Sequence, residues 1–232
     1  MGLWGNINGF LGYLFHIRGN LEKARRYYGI GMEKDMTNPS FKLAYGVALL
    51  KSGEFEKARD VFRDVLLNRG YKESTRNMAK INLSLAYWKL GEIDTAVEML
   101  SELHRRQRNS RIYAALGYLL IEKGDLKEAL EFNLEALDYD DEDPVILDNL
   151  GQTYYRMGNI DEARKYFLKA ESLKEDQAVT LYHLGCIYQQ EGDYETAKEK
   201  LLKALDCNIG TLTTINREDI EKRLTEIESR LS

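Results

Sequence analysis

The amino-acid sequence predicts an all-α solenoid of six stacked antiparallel helix pairs, and three observations carry that prediction. A glycine followed by an acid or amide recurs at Gly19-Asn20, Gly53-Glu54, Gly91-Glu92, Gly124-Asp125, Gly158-Asn159 and Gly192-Asp193, with spacings of 34, 38, 33, 34 and 34 residues. Five residues after each glycine stands an alanine: Ala24, Ala58, Ala96, Ala129, Ala163 and Ala197. Only 2 prolines occur in 232 residues, against many Ala, Leu, Glu and Lys, which favours helices over short strands.

Each element follows from that frame. The segment before each glycine reads as a first helix of about 12 to 14 residues and the segment after it as a second, antiparallel helix. The glycine between them takes a backbone conformation costly for other residues. Seven residues before the turn glycines stand Gly12, Gly46, Ser84, Gly117, Gly151 and Gly185, small side chains that let two helices approach closely. The alanines lie where the pair touches. Four residues before the turns come Phe15, Leu49, Tyr87, Leu120, Tyr154 and Tyr188, expected to fill the space the small residues leave. Neither helix of a pair buries its apolar face alone, so stacked neighbours share one core.

Two departures are local. Asn133 stands where Tyr28, Phe62 and Phe167 are bulky. The stretch Asn68 to Asn77 reads as a loop four residues longer than the period requires, a tolerated insertion or a hinge.

The ends differ. Residues 1–210 read as the array and 211–232 as a solvating helix, with Asn216 as its cap and Ile220, Leu224, Ile227 and Leu231 as one apolar stripe. Glu221, Lys222, Arg223 and Glu228 cover the opposite side. At the other end, Leu3, Trp4, Ile7 and Phe10 lie in an uncharged first helix, which predicts an exposed apolar edge.

The pattern of Leu-Gly, then Tyr, then Gly-Asn, then Ala is plainest in Leu150-Gly151-Gln152-Thr153-Tyr154 through Ala163 and Tyr166-Phe167. It resembles the tetratricopeptide repeat family over about residues 5 to 210. The resemblance implies a right-handed superhelix whose first helices line a concave groove for peptides or partner helices. It implies fold far more specifically than function.

Composition narrows the function. The chain is 31% charged and 44% hydrophobic, ordinary for a soluble protein with a substantial core. Residues 1–116 hold 19 Lys plus Arg against 12 Asp plus Glu, and residues 117–232 hold 14 against 26, which makes a basic and an acidic end. Head-to-tail self-association, a bipolar partner and drift of surface charge all fit that asymmetry. Cys186 and Cys207 are too few for a disulfide scaffold, so a reducing cytoplasm is the default. The uncharged N-terminus lacks the basic start of a signal peptide and is shorter than the ~20 residues of a membrane span, so no direct membrane insertion is expected.

Candidate chemistry is thin. His183 and Cys186 lie one turn apart, yet two ligands without a third make a weak metal site. The cluster His104 to Arg108 complements a helix C-terminus as well as it would a phosphate, and an acidic chain without a wider basic stripe argues against nucleic acid. No nucleophile, acid–base pair or phosphate loop assembles, so neither an enzyme nor a cofactor is expected. The acidic loop Tyr139 to Asp143 before Pro144 reads as the cap of the next helix.

The expectation is therefore a non-catalytic scaffold that binds a peptide or partner helix. Residues nine before each turn sample the inner face: Phe10, Ala44, Asn82, Ala115, Asn149 and His183. In peptide-binding members of the family, asparagine there contacts the ligand backbone, which the resemblance carries to Asn82 and Asn149; a local hydrogen bond to a neighbouring helix serves such an amide as well. Leu85, Trp88, Tyr118, Gln152, Tyr155 and Tyr182 complete the expected surface with His183. The family's chaperone clamp for a C-terminal carboxylate is broken: Leu43, Val47 and Ala115 occupy places it needs beside Asn82 and Arg111. The alternative is an assembly piece that docks or self-associates through the apolar N-terminal edge and the charged ends.

Overall fold

The computed structural model describes residues 2–207 and 209–231. Within them lie thirteen helices and no strand. The chain forms two compact units, residues 1–106 and 107–232.

Unit 1 contains three pairs: α1 (Leu3–Ile17) with α2 (Leu21–Glu33), α3 (Pro39–Lys51) with α4 (Phe55–Leu67), and α5 (Glu73–Lys89) with α6 (Ile93–Arg106). Each first helix packs on the preceding second helix as well as on its own partner. In unit 2, α7 (Ser110–Lys123) pairs with α8 (Leu126–Tyr139), α9 (Pro144–Arg156) with α10 (Ile160–Leu173), and α11 (Ala178–Glu191) with α12 (Tyr194–Asp206). The final helix α13 (Arg217–Leu231) lies on α12 and α11.

The Gly-Asn or Gly-Asp pairs have a local cause. Every turn glycine adopts a left-handed φ, from 75° at Gly19 to 98° at Gly124, where a side chain would be strained. The next residue then caps the second helix: Asn20, Asp125, Asn159 and Asp193 each accept the backbone N–H three residues on. Asp143 likewise caps α9, accepting from Val145 and Ile146, so the acidic loop does what its position predicts.

Packing corrects one expectation. All six repeat alanines are fully buried between their helices, but the side chain that meets each of the glycines Gly12, Gly46, Gly117, Gly151 and Gly185 comes from the second helix. A Cβ added at Gly12 would lie 2.6 Å from the Tyr28 ring, and one at Gly46 would lie 2.4 Å from the Phe62 ring. The aromatic residues four before the turn stack further out, Phe15 on Tyr27 at 5.3 Å and Tyr154 on Tyr166 at 5.6 Å. A position sixteen residues along the hairpin is the one that faces the small residue, and sequence spacing along a single helix cannot report it.

The extra residues near Asn68 are also redistributed. Only five residues of the stretch Asn68 to Asn77, Asn68–Lys72, connect α4 to α5, and α5 begins early as a 17-residue helix. The insertion is mostly one additional helical turn, because Ser74 to Met78 contains no breaker.

The two ends differ: α13 buries its apolar stripe, and α1 leaves its large apolar side chains exposed. Asn216 and Asp219 exchange reciprocal side-chain to backbone bonds at 2.9 and 2.8 Å, a capping box, and Ile220, Leu224 and Ile227 are buried on the array. Leu231 stays exposed. On α1, buried Gly5, Gly9 and Gly12 face the array, while Leu3 and Trp4 are 69% and 68% exposed and Ile7, Phe10, Tyr13 and Ile17 are exposed with them.

Candidate functional site

In unit 1, α5 carries three of the predicted residues. Asn82 donates its amide to Met78 O at 2.9 Å, one turn back in the same helix. Leu85 and Trp88 are half-buried beside it, and the Lys89 ammonium lies 4.1 Å from the centre of the Trp88 ring, within reach of a cation–π attraction.

In unit 2 the first helices α7, α9 and α11 bring six predicted residues to one face, where they form two groups. The first is polar and mostly buried. Asn149 donates to Ala114 O on α7 at 2.9 Å, so its amide hydrogen already joins neighbouring helices. Gln152 donates to one oxygen of Asp148 at 2.7 Å and Thr180 of α11 donates to the other at 2.6 Å. Burial pushes the Asp148 carboxyl up to about 6, opposed by those two donors. Thr153 donates to Asn149 O at 2.8 Å and receives the Asn133 amide at 3.3 Å. Asn133 Oδ1 is buried without a donor and lies against Gly117, where a Cβ would come within 2.0 Å of it. Tyr118 stands at the edge of this group, its hydroxyl raised above the usual phenol range by burial.

The second group is aromatic. His183 stacks on Phe167 at 5.1 Å and meets Tyr155 and Tyr182 edge-on at 5.2 and 5.5 Å. Its Nδ1 faces Val179 O at 2.9 Å, which assigns the proton to that nitrogen. Burial pushes the imidazole down to about 4, so it is neutral at physiological pH. Cys186 is buried next to both tyrosines, and burial raises its thiol.

Two participants escaped the sequence reading. Arg223, expected on the solvent side of α13, instead donates to the Tyr182 hydroxyl at 3.0 Å and to Gln189 at 2.9 Å, with its guanidinium over the Tyr182 ring. The uncharged segment before α13 reaches the first group: Leu212 and Thr213 share a cleft of about 310 Å³ with Tyr118, Asp148, Asn149 and Gln152. The absence of charge in that stretch was the available signal.

None of these groups makes a reactive constellation among the described residues. Asp148 is closed by two donors, His183 is enclosed by rings, and no cluster of three or more metal-ligating side chains occurs there. No described helix is long and apolar enough to cross a membrane.

Comparison with known proteins agrees with the repeat geometry. Over 126 residues, 53% of this chain, it is 29% identical to the anaphase-promoting complex subunit CDC16 of Saccharomyces cerevisiae, and it spans 15% of that relative's length. A tetratricopeptide repeat protein from Parabacteroides merdae superposes with a TM-score of 0.81 at 18% identity, covering 97% of this chain and 84% of the other. A thermophilic TPR protein of Thermus thermophilus gives 0.67 at 20% identity, covering 83% and 100%. A structure of the APC/C hetero-tetramer Cut9-Hcn1 gives 0.66 at 17% identity, covering 94% of this chain and 42% of that one. These likenesses show the fold. Tetratricopeptide repeat models match residues 11–73 and 81–144, and a further one matches 142–208, so the chain belongs to the tetratricopeptide repeat family, whose repeats build scaffolds for protein–protein interaction.

Proposed function

We propose that this chain is an adaptor that holds a peptide or partner helix on the first-helix faces of its units. Asn82, Leu85 and Trp88 offer the surface in unit 1, and Tyr118, Asn149, Gln152, Tyr155, Tyr182 and His183 offer it in unit 2. One observation supports this most directly. The polar groups of these faces are engaged within the array, while the rings of Trp88, Tyr155 and Tyr182 are only half-buried. Rigid, partly covered aromatic rings contribute binding energy out of proportion to their number. The matched yeast relative is by name a subunit of a multiprotein complex, and holding a protein partner is the kind of work proposed here. In this reading residues 1–210 recognise and 211–232 solvate the end of the array. The free thiols of Cys186 and Cys207 suit a reducing cytoplasm.

The test is affinity capture from a lysate of the source organism, comparing wild type with Trp88→Ala/Tyr155→Ala after circular dichroism shows unchanged helicity. Retained proteins are identified by mass spectrometry. A partner lost only with the variant is the expected result, and identical captures would end the proposal.

A second reading rests on α1, whose exposed Leu3, Trp4, Phe10 and Ile17 form an apolar edge. It makes the chain an assembly piece that associates through that edge. Sedimentation equilibrium should then show an oligomer that Trp4→Ser/Phe10→Ser dissolves, and a monomeric wild type would dismiss it.

A further inference from the structure

The connection from α12 to α13, Cys207 to Asn216, takes ten residues, where Lys34–Asn38, Asn68–Lys72, Asp140–Asp143 and Lys174–Gln177 each join successive pairs with four or five. The extra length is therefore not needed to link the helices. It also contains no charged residue, in a chain that is 31% charged, so its composition matches a covered surface better than an open loop.

Its described part lies on the first-helix face of unit 2. Leu212 and Thr213 close one side of the 310 Å³ cleft over Asp148, Asn149 and Gln152, and the Thr214 side chain lies close to the Tyr118 hydroxyl at the edge of the same cleft. Other residues of the segment anchor it. Ile215 is buried with Ala178, Leu181 and Ile220, Asn216 belongs to the α13 capping box, and Arg217 donates to Leu205 O at 2.9 Å. Thr213 Oγ1 sits 2.8 and 2.9 Å from Gly210 O and Ile215 O, so the segment satisfies polar groups within itself. It touches the face through the Leu212 side chain and threonine side chains, while Ile215 is held in the core that α11, α12 and α13 share.

We propose that Gly210–Thr214 is an internal ligand of the unit 2 face, replaced when a partner protein supplies an extended, uncharged segment with an aliphatic residue flanked by threonine or serine. This rests on the reading of that face as protein-binding. Because the strap is tethered at both ends, its effective concentration at the cleft is high. An incoming segment binds only the open fraction of molecules, which lowers its apparent affinity by that fraction.

The probe is a fluorescein-labelled synthetic peptide with the sequence of Ile209 to Asn216, titrated to millimolar concentration against the full chain and read by anisotropy. Leu212→Gly/Thr214→Gly removes the strap's aliphatic side chain from the cleft and the Thr214 side chain from beside Tyr118, and it changes neither Ile215 nor the capping box. The expected result is binding at least about tenfold tighter to this variant than to wild type, lost again when Val145→Glu is added at the rim of the cleft. Equal binding to variant and wild type, or binding to neither, overturns the proposal. Trp88 and Tyr155 do not line this cleft, so its failure would leave the capture result for the adaptor reading unaffected.

Discussion

Units 1 and 2 are made from the same helix pair and bury different chemistry behind it. In unit 1 the Gly12 and Gly46 positions are met by the rings of Tyr28 and Phe62. In unit 2, Gly151 and Gly185 are met in the same way by Phe167 and Leu201, but Gly117 meets the carboxamide of Asn133, and two polar groups lie nearby: Asn133, Thr153 and Asn149, and Gln152, Asp148 and Thr180. Unit 1 carries 17 Lys plus Arg against 12 Asp plus Glu, and unit 2 carries 16 against 26. The contrast teaches that the repeat tolerates a polar seam whose groups find partners within α9 or on a neighbouring helix. Asn133 Oδ1 is where that condition fails.

The largest way to break the comparison is Phe62→Ala, which empties a fully buried ring site and should cost about 3–5 kcal/mol. Trp4 and Trp88, the only tryptophans, both lie in unit 1, so their fluorescence in a urea titration follows that unit. The tryptophan midpoint should fall sharply. An unchanged midpoint would mean that the Gly46–Phe62 contact does not hold the pair together.

A pH titration probes unit 2 at somewhat smaller amplitude. The Asp148 carboxyl is raised from 3.8 to about 6, so its contribution is greatest below pH 3.8 and is lost as pH rises through 6. The His183 imidazole is lowered from 6.5 to about 4, so its contribution is present above 6.5 and is lost as pH falls toward 4. The two slopes oppose each other, each worth on the order of a few kcal/mol. Wild type should show a shallow profile between pH 4 and 6.5. Asp148→Asn should uncover the histidine slope, with stability rising with pH, and His183→Gln should uncover the reverse. Parallel profiles for the two variants, measured by circular dichroism in urea, would refute the opposition.

The smallest expected effect sharpens the contrast. Asn133→Leu installs the residue type found at the equivalent Leu100 and Leu201 and removes a buried acceptor that has no donor. Unit 2 should gain about 1 kcal/mol. A loss of stability would show instead that the Asn133 bond to Thr153 organises the seam.

Much of this was legible in the residues themselves. The period of the Gly-acid pairs, the repeat alanines and the capping side chains place twelve helices in order, because turn conformation and N-caps are decided within a few residues of chain. The stripe of Ile220, Leu224 and Ile227 foretells the docking of α13 for the same reason. The candidate surface was legible only as a set of positions. That Asn149 would fasten α9 to α7, that Thr180 would close the second oxygen of Asp148, and that Arg223 would lie on Tyr182 depend on partners 32 to 41 residues away.

Local sequence determined the repeat, its turns and its caps, since those energies are short-ranged and recur with the period. Tertiary structure alone decided which side chain fills each small-residue gap, that the extra residues after Asn68 lengthen α5, and that Leu212 and Thr213 lie at the unit 2 cleft. These outcomes depend on packing between segments distant in the chain, where volume, burial and hydrogen-bond satisfaction are settled jointly rather than one residue at a time.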